Sequence, residues 1–122
     1  MTKEGALYSF WNGFGLTAYE ENTVPSDATF PYITYQVVTD SFNNPVNTAV
    51  SIWYRSESWL QINAKANEIS HAIGRGGCYI HCDDGAIYIR RGEPFAQNMK
   101  EDSDSLIKRK YLNVTLEYIT EN

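Results

Sequence analysis

The chain has 122 residues, enough for one domain of ordinary size, and a formal net charge of −5. General phosphate binding depends on clusters of Lys and Arg, so this acidic balance argues against nucleic-acid recognition. No apolar run approaches the length of a membrane span, and the first residues lack a signal-peptide pattern, so we expect a protein that stays in a cytoplasm.

The first predicted element is an amphipathic helix at the start of the chain. Thr2 is its expected N-cap, and Gly13 and Gly15 suit its C-terminal end. The i, i+3, i+4, i+7 spacing of an apolar stripe is met by Leu7, Phe10, Trp11 and Phe14. The polar stretch YEENTVPSDATFP that follows predicts a long loop.

Two strands come next, and both alternate between apolar and polar positions. Pro31 fixes φ and lacks an N–H, so it suits the first residue of a strand and converts the loop directly into extended chain. Ile33, Tyr35 and Val37 form one face of the first strand. The corresponding face of the second strand, after the turn FNNPVN, consists of Val50, Ile52 and Tyr54. We expect an antiparallel pair with one buried face.

The second helix has the clearest periodicity in the chain. Ser58 is the expected N-cap, and Gln61 completes a possible capping box. Gly74 is the natural residue to end this helix. The helical spacing of an apolar stripe is repeated by Trp59, Ile62, Ala66, Ile69 and Ile73.

A hairpin and a long last strand complete the predicted sheet. The run CYIHCDDGAIYIRR predicts a tight hairpin with Asp84-Gly85 as its turn signal, and residues 92–105 are predicted to be irregular. One face of the last strand consists of Leu112, Val114, Leu116 and Tyr118. The order α-β-β-α-β-β-β predicts a single α+β domain over residues 1–122, with a mainly antiparallel sheet and both helices packed on one face.

Residues that could support catalysis are sparse. His71 and His81 are the histidines of the chain, and no nucleophile–base, HExxH or Walker-type pattern accompanies them. Cys78 and Cys82 share a face of their strand too far apart to bridge, while His81 faces the other side, so two small buried side chains are expected rather than zinc ligands. We therefore predict no enzyme, with no catalytic, cofactor-binding or metal-binding residues.

A family resemblance rests on the stretch VPSDATFPYITYQVV and on the element order. Val24-Pro25 and the strand start Pro31-Tyr32-Ile33 make the chain similar to the tail-terminator and tail-to-head joining proteins of long-tailed bacteriophages. The resemblance implies a structural protein of the virion, assembled in the host cytoplasm as a hexameric ring. Such a ring caps the tail tube, ends its polymerisation and joins it to the head–tail connector. DNA passes through its pore without specific binding, and no membrane is involved.

The ring interpretation directs attention to polar segments that can reach a neighbouring subunit. Residues 19–29 and 92–105 are predicted to be the least ordered parts of the free protein and to become ordered on assembly. KRK at 108–110 is interpreted either as a charged sheet edge or as a contact with a subunit or partner. The interface candidates are Tyr19, Glu20, Glu21, Asp83, Asp84, Arg90, Arg91 and Phe95.

Two alternatives remain open. The first is a connector-side head-closure protein or another minor phage structural protein. The second is a small cytoplasmic ligand-binding domain or enzyme, with a pocket lined by Tyr32, Trp53 and His81. Mass measurement in solution separates the classes, because a ring protein assembles and a small enzyme stays a monomer or dimer.

Overall fold

The structure is a computed structural model, which describes residues 1–39, 42 and 44–121. Within these ranges the chain forms two α-helices and six β-strands, with short 3-10 turns at Asn12–Phe14 and Glu21–Thr23. The helices are α1 (Lys3–Trp11) and α2 (Leu60–Ile73). The strands are β1 (Thr17–Glu20), β2 (Tyr32–Tyr35), β3 (Val46–Arg55), β4 (Cys78–Cys82), β5 (Gly85–Lys100) and β6 (Ile107–Thr120).

The strands form one sheet in the order β1-β2-β3-β6-β5-β4. β1 pairs with β2 in parallel, and the remaining neighbours pair in an antiparallel manner. Buried residues of both helices join the inward-facing strand residues in one hydrophobic cluster. The predicted fold class is therefore confirmed, including the packing of both helices on the same face of the sheet.

The core lies where α2 crosses the central strands. Ile62, Ile69 and Ile73 are almost completely buried, and they meet Leu112 and Val114 of β6 in the same cluster. Alternation places these strand residues on one face, since side chains of a strand point to opposite sides in turn. Trp59 is only half-buried at the start of α2, so it covers the margin of the core.

The ends of the helices follow local hydrogen bonding. Thr2 caps α1 as predicted, its hydroxyl oxygen accepting a bond from the Gly5 N–H at 3.0 Å. The predicted capping box of α2 is wrong by one position, because Trp59 is the N-cap and the Ser58 hydroxyl accepts from the Leu60 N–H at 3.0 Å. Gly74 ends α2, as predicted, with a positive φ of 83°.

Two segments that were predicted as loop, the first only in its residues 19 and 20, belong to strands. Residues 17–20 form β1, so the observed order is α-β-β-β-α-β-β-β. β5 runs through residues 92–100, and its irregularity is confined to a bulge between Arg91 and Ala96. Both segments gain backbone hydrogen bonds from a neighbouring strand, β2 or β6, and that pairing overrides their polar composition.

Candidate assembly surfaces

The described residues that could support catalysis or bind a metal ion do not come together in one site. His71 and His81 are both exposed, on α2 and β4 respectively. Among the residues that the structure describes, no group of three His, Cys, Asp or Glu side chains is placed to hold a metal ion. Cys78 and Cys82 are unbridged, as the sequence predicted, but they are half-buried rather than buried. Burial raises the pKa of the Cys78 thiol.

Aromatic side chains line the sheet face opposite the helices. The Tyr32 ring stacks on the Trp53 ring with centroids 6.1 Å apart, and Tyr19 meets Tyr32 edge-on at 5.9 Å. The Arg109 guanidinium lies 4.6 Å from the Trp53 ring centroid and 5.7 Å from that of Tyr111. All of these side chains are half-buried. We call the set the aromatic row: Tyr19, Tyr32, Trp53, Arg109 and Tyr111.

Hydrogen bonds to the sheet hold the aromatic row in place. The Trp53 indole N–H donates to the Thr34 hydroxyl at 3.0 Å. Arg109 Nε donates to the hydroxyl of Ser51, which is only 3% exposed although its side chain faces away from the helices. Burial raises the pKa of the Tyr32 hydroxyl, with smaller contributions from Tyr19 and Glu101, so its neutral form is favoured. Thr34 and Ser51 therefore hold the Trp53 and Arg109 side chains of the row in place.

Two carboxylates project at the β1 edge of the sheet. The Glu20 carboxylate accepts bonds from the Asn22 N–H at 2.9 Å and from the Asn22 side-chain amide at 2.8 Å. The exposed Glu21 accepts from the Gln36 amide at 3.2 Å. These donors are neutral, and neither carboxylate forms an ion pair with a cation among the residues that the structure describes. We call this pair the acidic edge.

The outer backbone of β1 is occupied by a side chain. Asn12 Oδ1 accepts from the Ala18 N–H at 2.9 Å, and Asn12 Nδ2 donates to the Ala18 carbonyl at 3.3 Å. An unpaired edge strand normally offers such groups to another chain. Here one amide side chain takes the place of a strand residue, so β1 is closed to strand addition at Ala18.

Three arginines meet near the other edge of the sheet, where β5 and β4 lie. They line an open groove of about 420 Å³ beside the β5 bulge, together with Gly92, Glu93 and Phe95. Arg91 donates to the Ser70 hydroxyl at 2.8 Å, and the Arg90 guanidinium lies 5.6 Å from the Tyr88 ring centroid. We call this feature the arginine groove: Arg75, Arg90, Arg91, Gly92, Glu93 and Phe95.

Phe95 differs from its predicted setting. It was expected to stand in a polar loop, but it lies within β5 and packs against the core while lining the arginine groove. Its ring therefore supports the groove from beneath. The increased order of residues 19–29 and 92–105 on assembly stays a prediction.

The turn between β4 and β5 is tied to the start of the chain. The Asp83 carboxylate pairs with the Met1 amino group, and the Asp83 N–H donates to the Met1 carbonyl at 2.8 Å. Gly85 is required after the turn, because a Cβ there would lie 2.0 Å from the Ile119 carbonyl oxygen. Asp83 thus serves the fold, whereas Asp84 is exposed and bonded to nothing among the described side chains.

The predicted interface residues separate into two groups on opposite sides of the sheet. Residues 19–21 lie at β1, and Asp83, Asp84, Arg90, Arg91 and Phe95 lie on β4, β5 or their turn. The predicted pocket of Tyr32, Trp53 and His81 does not form, because β6 and β5 lie between β3 and the strand of His81.

Sequence reasoning singled out neither Arg75 nor Asn12, and it placed Arg109 in a basic run rather than beside the aromatic side chains. KRK at 108–110 is not a sheet edge, since β6 lies between β3 and β5. Its members alternate instead: Arg109 joins the aromatic row, and Lys110 faces α2, donating to Asn63 at 2.6 Å. The alternation of Arg109 with Tyr111 was the available signal for a cation beside an aromatic.

No helix in the described part of the chain is both long and apolar enough to cross a membrane. Comparison with protein-family models, with curated proteins and with solved structures finds no match for this chain. The function proposed next rests on the surfaces described above and on the sequence resemblance.

Proposed function

We propose that the chain is a structural subunit of a long-tailed bacteriophage virion. Six copies form a ring that caps the tail tube, ends the addition of tube subunits and joins the tail to the head–tail connector. The observation that carries the proposal is the aromatic row, a continuous set of half-buried rings and one guanidinium on the sheet face opposite the helices.

The composition of the aromatic row is that of a contact surface. Tyr, Trp and Arg are the residue types that contribute most to binding energy at protein interfaces. Here Trp53 and Arg109 are already fixed by Thr34 and Ser51, so little side-chain freedom is lost when a partner docks. A partner from the tail or the neck gains an ordered platform without a conformational change.

Grooves elsewhere offer little to a small-molecule substrate. One groove, of about 500 Å³, lies between α2 and the β2–β3 side of the sheet. Its Lys65 donates to the Phe14 carbonyl at 2.5 Å and to Glu68 at 2.9 Å, and its Arg55 pairs with Asp104 at 3.0 Å. The charged groups lining the groove are thus engaged within the chain, which favours a structural role over an enzyme.

The acidic charge suits a protein whose pore DNA must traverse. Repeated around a ring, a net charge of −5 per subunit repels phosphate, so DNA passes without being held. The proteins that the ring contacts are the tail-tube subunit and the connector. Its place is the neck of the virion.

A deletion in the encoding phage tests this role directly. Without the chain, tails of abnormal length and unjoined heads are expected, and the wild-type protein supplied in trans restores joined particles. Trp53→Ala is expected to restore joining poorly. Asn47→Ala is the matched control, since Asn47 is exposed on the same face at a distance from the row.

The outcomes separate the alternatives. Tails of normal length beside leaking heads indicate a connector-side closure protein. Normal joining in the deletion phage overturns the proposal and favours a cytoplasmic enzyme or binding domain.

A further inference from the structure

We propose that neighbouring copies meet head to tail, with the acidic edge of one copy in the arginine groove of the next. This contact deepens the proposed function, on which it rests, by naming the two surfaces that meet in the ring. Its occupant is a second copy of this chain.

Charge supplies the first argument. The arginine groove holds three cations and one carboxylate, Glu93. None of the three arginines forms an ion pair with any residue that the structure describes. On the other side of the sheet, Glu20 and Glu21 accept hydrogen bonds from neutral donors alone among the described side chains. Each surface therefore carries the charge that the other lacks.

Strand register supplies the second argument. Glu20 pairs with Tyr35, and Tyr35 pairs with Val50. Val50 pairs in turn with Leu112, which pairs with Ala96 at the end of the β5 bulge. The acidic edge and the arginine groove therefore lie at the same height along the strands, at opposite sides of one sheet. A copy displaced sideways across the sheet brings the two surfaces together.

The β5 side is open at that height. β4 pairs with β5 only over Gly85–Ile89, so from Arg90 onward no strand of the described chain covers the outer side of β5. The arginine groove lies just beyond Cys78, the first residue of β4, which pairs with Ile89. An approaching neighbour meets the groove without displacing any element.

The contact is made by side chains rather than by a shared sheet. Asn12 occupies the outward N–H and carbonyl of Ala18, so β1 cannot add a strand of a neighbour there. Ion pairs between exposed groups weaken as salt screens them. Assembly through this contact is accordingly reversible and salt-sensitive.

The two surfaces differ, so the contact is heterologous, and its repetition closes into a ring when the rotation per copy closes. Single charge reversals test it without touching the core: Glu21→Arg on one surface and Arg90→Glu on the other. Both residues are exposed, and neither packs in the core cluster. Each variant alone is expected to associate at least about tenfold more weakly than wild type in sedimentation at low salt.

Mixing the two variants is the decisive measurement. The arginine introduced at position 21 of one variant meets the glutamate introduced at position 90 of the other, and the remaining two surfaces are native. Equimolar mixtures are therefore expected to recover association. Copies then alternate around the ring, which an even number of subunits allows. Glu57→Arg is the matched control, an exposed reversal outside both surfaces that leaves association unchanged.

Two results overturn the contact. One is a mixture that associates no better than either variant alone. The other is a wild-type protein that stays monomeric at high concentration and low salt. Neither result decides the role in the tail, which the deletion phage reports separately by joined particles and tail length.

Discussion

The two faces of the sheet differ in how deeply they are buried. On the helix side, Ile33, Ile52 and Leu112 are fully buried beneath α1 and α2. On the other side, Tyr32 and Trp53 of the same strands are only half-buried, and no helix of the described chain packs over them. The chain's own helices cover one face, and under the proposed function a partner contacts the other. The proposal therefore places most of the fold's stability on the first face and the binding of a tail or neck partner on the second.

Truncation in the helix-covered face is expected to have the largest effect on stability. Ile69→Ala should lower the free energy of unfolding by about 2–5 kcal/mol, because it leaves a cavity in a fully buried site. Denaturant unfolding measures the change. Thr115→Ala on the open face is the control, expected within about 0.5 kcal/mol of wild type. Equal effects of the two substitutions would contradict the division between the faces.

Alkaline pH is expected to lower the stability of the fold through Tyr118, which is buried on the helix-covered face. Burial, with a smaller contribution from Glu4, raises the pKa of its hydroxyl from 10.0 to about 12. The folded protein then keeps a proton that the unfolded chain releases, so this stabilisation is complete below pH 10 and is lost as pH rises towards 12. The free energy of unfolding falls by up to about 1.4 kcal/mol per pH unit in that window.

Tyr118→Phe isolates this contribution. Its hydroxyl oxygen has no hydrogen-bond partner among the described residues, so the substitution should not destabilise the protein at neutral pH. The variant should lose less stability than wild type between pH 10 and 12. Identical alkaline slopes for the two proteins would show that Tyr118 ionises as readily folded as unfolded.

On the open face, Tyr32→Ala should impair the joining of tails to heads more than it impairs stability. Losing its ring contacts with Trp53 and Tyr19 should cost about 1 kcal/mol of stability in addition to the lost burial of a half-buried ring. Joining of tails to heads should fall much more than that loss explains. A folded variant that joins tails normally would show that the aromatic row is not a contact surface.

The smallest effects are expected at the histidines. His71→Ala and His81→Ala change exposed side chains outside both the core cluster and the aromatic row. Stability should stay within about 0.5 kcal/mol of wild type, and joining activity should be intact. Loss of joining in a stably folded variant would reveal chemistry at that residue.

Periodicity was sufficient to predict the covered face. Ile62, Ala66 and Ile69 repeat with the helical period, and Leu112, Val114 and Leu116 alternate with the strand period, so a one-dimensional pattern carries the information. β1 was missed because four residues in a parallel pair depend on β2 rather than on their own composition. Residues 92–100 were missed because Gly92 and Pro94 are typical of loops, whereas the pairing with β6 is not visible locally.

The candidate surfaces were only partly predictable for the same reason. Glu20, Glu21, Arg90 and Arg91 were identified as exposed charges in or near polar segments. Their alignment at one height of the sheet depends on the register of five successive strands, which no short stretch encodes. Arg109 was grouped with its basic neighbours because charge clustering ignores the alternation of faces.

Asn12 has a consequence for how large an assembly can become. A sheet whose edges accept further strands has no intrinsic end, and its growth leads to fibrils. By satisfying the Ala18 backbone within the same molecule, this one amide keeps the protein finite along the direction of growth. In the proposed ring, copies then meet as separate bodies, and the angle between neighbours sets how many of them close the ring.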